Sequence, residues 1–292
     1  MLFATVQNLS AVDAQRLFGT LVFFLGCCIG SFMNVVIWRL PRGEKLSYPG
    51  SHCPNCGHAI RAWENIPILS WLFLRGRCSG CKKPISIRYP LGEAAVGVLY
   101  VLVYWNLNRR LLPLEYLPTQ FFLAGALLAV AWIDVKHRMI PDKVTLTGIV
   151  VALLLALALP KGRGWLDVES GVPLHDILVG WAREIPMISG VRAFAVVDAV
   201  FGCLVGGAVP ALLGWAVSKL CGRDALGGGD VKLFAMLGAF FGADGVVYVL
   251  LFSSLAGIVF TALMWPFRKR ISLALPFGPF IALTAFVWTL FS

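Results

Sequence analysis

The chain has 292 residues, of which 59% are hydrophobic and 14% charged, with a formal net charge of +10. Several apolar runs approach the ~20 residues that cross a hydrocarbon core of ~30 Å, which excludes an ordinary soluble domain. The basic excess is distributed among the loops as a topology signal, so no nucleic-acid partner is expected.

Residues 1–15 lack a basic region ahead of an apolar core. The run 17–38 is long enough to span and is followed by Arg39 and Arg42, so it reads as a retained membrane helix and not a removable signal. Further spans are expected at about 90–106, 112–133, 144–160, 195–217, 245–266 and 273–291. A shorter apolar piece near 231–242 cannot cross at 1.5 Å per residue unless it extends into its flanks or joins a broken or re-entrant element. The fold class is therefore all-α and polytopic, with about eight membrane helices, one of them short or broken. Three regions are expected: 1–38, the N-terminal region and first helix; 39–89, a cytoplasmic loop domain; and 90–292, a membrane core. An extracytoplasmic insertion at about 160–194 interrupts this core, and 174–184 within it reads as an interfacial helix.

Charge sets the orientation. Residues 39–88 carry nine Lys/Arg against Glu44 and Glu64, which places this loop inside by the positive-inside rule. Counting spans forward puts Lys136, Arg138, Lys143, Lys219, Arg223, Lys232 and Arg268-Lys269-Arg270 inside as well. Asp134 closes an inward-running span and Asp230 opens an outward-running one, so both are expected at the cytoplasmic surface.

Within the basic loop, Cys53-Pro54-Asn55-Cys56 is followed after 21 residues by Cys78-Ser79-Gly80-Cys81. Two such pairs suit a tetrahedral Zn²⁺ site, with Gly57 and Gly80 as turn residues. A disulfide pair is the alternative, disfavoured in a reducing compartment. A loop with so few aliphatic residues also gains from a metal staple. Because four thiolates leave no open coordination position, the zinc is expected to be structural. Cys27, Cys28, Cys203 and Cys221 lie in or beside apolar runs and read as small hydrophobes.

The acids are the other signal, because charge at the edge of hydrocarbon is costly and usually functional. Asp134 sits where the helix macrodipole disfavours a carboxylate; the bland alternative is a solvated ion cluster with Lys136, His137 and Arg138. Asp230 follows Gly227-Gly228-Gly229 and precedes a helix it could merely cap. The glycines argue for more, either unusual backbone angles or close approach of an extended substrate, and Gly227 and Gly229 are candidate substrate-loop positions. Asp142, ahead of its own apolar run, reads as an N-cap. Asp198, toward the outer end of its span, and Asp224, in a polar loop, are weaker candidates.

Taken together, these residues resemble the type IV prepilin peptidases, bifunctional leader peptidases and N-methyltransferases of type IV pili and type II secretion. The resemblance rests on Gly227-x-Gly229-Asp230, Asp134 with Ile140-Pro141-Asp142, and the tetracysteine loop. It extends to the stretch from Gly30 to Pro41, Trp63-Glu64-Asn65-Ile66-Pro67, Arg88-Tyr89-Pro90 with Glu93, and Pro276-Phe277-Gly278-Pro279. The 160–194 stretch departs from the pattern by lengthening the separation of the two aspartates, and Gly228 at the variable position makes the loop more pliable.

The resemblance implies an inner-membrane enzyme that cleaves the leader of prepilins or pseudopilins with an Asp134–Asp230 dyad. It further implies methylation of the new N-terminal residue from S-adenosylmethionine. No Gly-rich nucleotide fingerprint marks the donor site, so its residues are unassigned. Glu64 and Glu93 are candidate polar participants, and Glu93 equally suits a buried hydrogen-bonding role between helices. Two other classes share some features: a Gly-x-Gly-Asp peptidase of other membrane substrates without methyltransferase activity, and a cation transporter. The tetracysteine loop and the absence of a Pro-Ala-Leu motif oppose the first. The location of both acids at one membrane face opposes the second.

Overall fold

A computed structural model describes residues 11–160, 191–222, 226–264 and 276–291. Nearly all of the expected insertion, Asp224 and the run Arg268-Lys269-Arg270 lie outside these residues. Seven long helices occur among the described residues: α1 (Ala11–Arg39), α2 (Arg88–Arg109), α3 (Leu117–His137), α4 (Asp142–Ala158), α5 (Val191–Cys221), α6 (Gly228–Met264) and α7 (Gly278–Phe291). Helices satisfy their own backbone polar groups, which hydrocarbon requires. Among the described residues, five stretches are long and apolar enough to cross a membrane. Leu204, Leu212 and Trp215 on α5 and Leu251, Leu255 and Ile258 on α6 are exposed, an outward apolar surface that suits lipid.

The chain divides into two compact units, residues 1–112 and 113–292. In the first, α1 and α2 form an antiparallel hairpin. A Cβ on Gly26 would lie 2.7 Å from Gly97 Cα, and one on Gly30, a turn later, 2.8 Å from Glu93 Cα. This is the small-xxx-small packing that membrane helices use for close backbone approach. The basic loop between them carries the four cysteines.

In the second unit, the expected short piece 231–242 is the centre of the core. Leu233, Phe234, Met236, Leu237 and Ala239 are fully buried, among Leu123, Leu127 and Val130 of α3, Ala152 of α4 and Ile281 of α7. A helix that is apolar on every side belongs inside a bundle, and here it is surrounded by helices. It is continuous in sequence with the following span, but the two do not form one rod. Gly242 has φ 74° and ψ −178°, a conformation essentially restricted to glycine. A Cβ on Gly206 would touch both the Phe234 carbonyl and Val246 Cγ2, the latter at 3.1 Å. A straight helix would separate residues 234 and 246 by about 18 Å. The chain therefore reverses at Gly242, and α6 is a helical hairpin whose two arms both lie on α5. Counting the arms separately gives eight apolar helical segments among the described residues, and the expected short piece is one arm of the helix broken at Gly242.

Asp198 of α5 is fully buried and faces the reversal: a Cβ at Gly242 would lie 2.8 Å from its Oδ1. Twelve residues of helix, about 18 Å, separate this level from Asp230, so Asp198 belongs to the other end of the bundle.

Asp142 differs from expectation. Pro141 occupies the N-cap of α4 and Asp142 is the first helical residue. Its Oδ2 accepts a hydrogen bond from Lys232 Nζ at 2.7 Å. Pro141 fits this junction because its fixed φ suits the turn into a helix and its missing N–H leaves no orphan donor.

Two neighbouring glycines test the α5–α6 packing. Gly206→Ala drives a methyl into the Phe234 carbonyl and is expected to cost about 1–3 kcal/mol. Gly207→Ala meets only Ala235 Cβ, at 3.6 Å, and should be neutral or gain up to about 1 kcal/mol from helix propensity. Thermal unfolding of the two variants in one detergent reads the contrast; equal melting temperatures would contradict the backbone contact.

Candidate active site

Asp134 lies in the last turn of α3, behind fully buried Ile133, and is itself 6% exposed. The helix ends at Arg138, a left-handed residue whose N–H donates to Asp134 O at 2.8 Å. The carboxylate turns toward α7, where Oδ2 accepts the Gly278 N–H at 2.8 Å. Gly278 is the first residue of α7, so this N–H is a helix-terminal donor with no intrahelical partner, and the positive end of the α7 dipole faces the acid. The electrostatic problem posed by Asp134 at its own helix's C-terminus is thus met by the start of another helix. Gly278 has no room for a side chain: its Cβ would sit 2.7 Å from Asp134 Oδ2. The sequence flagged Pro276-Phe277-Gly278-Pro279 without a role, and close approach to Asp134 is that role.

Asp230 lies in the first turn of α6. Its Oδ2 accepts the Gly227 N–H at 3.3 Å, and its own N–H donates to Gly227 O at 3.1 Å. The capping function is real, and the residues beside Asp230 reach the connection that follows Asp134. A Cβ on Gly229 would lie 3.0 Å from Ile140 Cβ, and Lys232 reaches Asp142. The ends of α3 and the starts of α4, α6 and α7 therefore converge at one end of the second unit, around the two aspartates.

The glycines serve differently from one expectation. None of Gly227, Gly228 and Gly229 has positive φ, so unusual backbone angles are not the reason for them. Gly229 is small because it packs on the α3–α4 connection, whereas Gly228 faces open space.

The four cysteines of the first unit also come together, their sulfurs within 4.8 Å of one another. Cys53 and Cys81 Sγ are 3.9 Å apart and Cys56 and Cys78 Sγ 4.0 Å, against about 3.8 Å between sulfurs of a tetrahedral site with 2.3 Å bonds. The two knuckles repeat one hydrogen-bond scheme. Gly57 N–H donates to Cys53 O and Lys82 N–H to Cys78 O, while Cys53 N–H reaches His58 O and Cys78 N–H reaches Lys83 O. The left-handed residue is Gly57 in the first knuckle and Lys82, not Gly80, in the second. Gly80 is instead required by contact, since a Cβ would lie 3.2 Å from His58 Cβ.

N–H groups of Asn55 and Cys56 hold the Cys53 thiol down to about 6. Cys56, although the His58 N–H favours its thiolate, is pushed up to about 11 by burial and by the sulfurs of Cys81, Cys53 and Cys78. Four thiols this close favour full ionisation only around a cation, so the donor set fits a metal.

Glu64 and Glu93 have structural partners. Glu64 accepts hydrogen bonds from Arg61 N–H at 3.0 Å and pairs with His58 Nε2 at 3.1 Å; Ser79 Oγ of the second knuckle meets the same His58 nitrogen at 3.0 Å. The Arg61 N–H first, then Ser79 and His58, hold the Glu64 carboxyl down to about 2. Glu93, buried on α2, accepts the Ile68 N–H at 2.7 Å. It therefore fastens the cysteine loop to a helix. Arg39 is also more than a topological anchor: its guanidinium is buried and donates to the carbonyls of Lys45, Leu46 and Pro49. A single arginine at a helix end carries no sequence signal of such a role.

Comparison with known proteins supports the same division. The bacterial peptidase A24 N-terminal domain matches residues 24–107, and the type IV leader peptidase family matches residues 121–262. A prepilin leader peptidase/N-methyltransferase of Myxococcus xanthus is 39% identical over 248 residues, covering 85% of this chain and 63% of its own length. Enzymes of the same name from Pseudomonas putida (34% identical; 92% of this chain, 89% of the relative) and Aeromonas hydrophila (36%; 93% and 90%) align nearly end to end. No solved structure gives a significant match. With both family regions present in order and relatives at this identity over most of its length, the chain belongs to the type IV leader peptidase family.

Proposed function

We propose that this chain removes the leader peptide of type IV prepilins or pseudopilins with Asp134 and Asp230, and that it N-methylates the residue so exposed. The observation that carries the peptidase assignment is the convergence of the two aspartates at one end of the second unit, with the Gly278 N–H on Asp134. In the reaction, the ionised member of the pair takes a proton from water as the oxygen attacks the scissile carbonyl. The protonated member donates to the carbonyl oxygen. Collapse of the resulting diol breaks the C–N bond, with a proton passing to the leaving amine. The proton inventory belongs to the pair, so neither residue alone is the base. Gly278 orients Asp134 through Oδ2 and leaves the other oxygen for the water. Open space at Gly228 admits an extended substrate backbone beside Asp230.

The orientation follows from the distribution of Lys and Arg: the dyad and the cysteine loop face the cytoplasm of a bacterial inner membrane. Cleavage there separates a basic leader from a hydrophobic helix that stays in the bilayer. Cys53, Cys56, Cys78 and Cys81 would hold one Zn²⁺, which closes the loop around a four-sulfur centre and leaves no position for Lewis-acid chemistry. S-adenosylmethionine supplies the methyl group for the second activity. Methyl transfer needs neither member of the acid pair, so the two activities are assigned to separate sites.

Four outcomes test this reading. Asp134→Asn and Asp230→Asn should each abolish cleavage of a co-expressed pilin, read from the mass of its N-terminal peptide, and the double variant should be no worse than either single one. Robust cleavage by either single variant defeats the dyad. Gly278→Ala should lower cleavage by about 10²-fold with the protein still folded, since displacing a reacting group by about 1 Å costs that much. Purified protein should contain about one zinc per chain, lost in Cys53→Ser/Cys56→Ser; those changes should reduce methylation at least as much as cleavage. The aspartate variants should still methylate pilin supplied already cleaved, and failure to do so despite normal folding would point to one shared centre.

A further inference from the structure

The cysteine loop exposes an apolar stripe that the peptidase chemistry does not use. Its short helix, Leu69–Phe73, has two faces. Trp71 points into the loop: its Nε1–H donates to Ile85 O at 3.1 Å, and its ring lies 2.9 Å from where a Gly76 Cβ would be. Leu69, Leu72 and Phe73, at helical spacing i, i+3 and i+4, point outward and are 38%, 57% and 82% exposed. Ile66 and Trp63, in the segment that leads into this helix, are exposed as well, at 44% and 62%. A small loop stapled by cysteines does not spend five large apolar side chains on water without a partner.

Two observations identify that partner. The first is depth. Ile68, immediately before the short helix, is bonded to Glu93, the sixth residue of the membrane-spanning α2. This level is about 7–8 Å along the helix from its start at Arg88, so the stripe is held beside the first turns of a membrane helix, where headgroups meet acyl chains. The second is charge. Arg61, Arg75 and Arg77 flank the segment in sequence and are exposed, with the Arg61 guanidinium over the Trp63 ring at 5.3 Å. The two acids at this segment are both engaged, Glu64 by His58 and the Arg61 N–H and Glu93 by the Ile68 N–H. Aromatic and aliphatic side chains on one face with cations beside them is the composition of an interfacial segment on an anionic lipid surface. A basic leader peptide would be repelled by the same cations.

We propose that residues 63–73 are a membrane-interface anchor, with Trp63, Ile66, Leu69, Leu72 and Phe73 seated among the lipids of the bilayer that holds α1 and α2, and the neighbouring Arg and Lys side chains on anionic phospholipid headgroups. The anchor depends on the membrane placement of those two helices and is independent of the peptidase assignment.

The test uses the full chain in lipid nanodiscs, with Phe73 replaced by the photo-crosslinking residue p-benzoylphenylalanine. Because both faces of a nanodisc have the same composition, the result does not depend on sidedness. Illumination in discs of phosphatidylcholine mixed equally with phosphatidylglycerol should yield phospholipid adducts at position 73, identified by peptide mass. The yield of phosphatidylglycerol adducts should fall roughly five-fold for each arginine removed in Arg75→Gln and Arg77→Gln, the weight of one cation at an anionic surface. Zinc content and elution volume confirm that each variant is folded. Adducts to protein alone, adducts to added prepilin that displace those to lipid, or a lipid yield indifferent to both arginines would each overturn the anchor.

Discussion

A carboxylate at the C-terminal end of an apolar helix meets partial negative charge and little solvent, so its position is tenable only if another element brings donors to it. For Asp134 that element is the start of α7, through the Gly278 N–H at 2.8 Å. The consequences spread outward from this bond. The first turn of α7 must lie level with the last turn of α3, and residue 278 must lack a side chain. The starts of α4 and α6 then close around the same point, joined by Gly229 against Ile140 and by Lys232 with Asp142. The acid pair is thus assembled from four helix ends, none adjacent in sequence to more than one other.

The core supports that assembly from below. The first arm of α6 carries Asp230 at its tip and is buried on all sides by aliphatic and aromatic groups, including Phe240 stacked on Phe122 at 5.7 Å between ring centroids. Dense packing of this kind resists small shifts, because interiors have few voids into which a side chain can relax. Rigidity at the base matters at the tip: the geometry of a reacting pair is only as well defined as the elements that hold it.

Sequence alone made the chemistry legible and left much of the supporting geometry hidden. Four cysteines in two matched pairs and two acids at hydrophobic boundaries are rare patterns with few explanations, and the apolar runs announced nearly every helix. The reversal at Gly242 was concealed because Gly is common in membrane helices and only its backbone angles distinguish a turn from a packing site. Asp142 read as a cap because its type and position suit one, but Pro141 before it takes that place and leaves the side chain for Lys232. Gly80, like Gly57, reads as a turn residue, whereas Lys82 adopts the left-handed conformation and Gly80 yields room to His58. The partners of Arg39, Glu64 and Glu93 are carbonyls and N–H groups, which every residue possesses and no sequence pattern marks.

The α5–α6 contact joins backbone to backbone, with Gly202 against Gly238 and Gly206 against the Phe234 carbonyl. At these two points the approach of the helices is set by backbone and not by the size of a side chain. Leu204, Leu212 and Trp215, on the outward surface of α5, can thus be exchanged to suit a thicker, thinner or more fluid bilayer without altering the height of α6. Adaptation to the lipid and placement of Asp230 are separable, because the first is carried by side chains and the second by their absence.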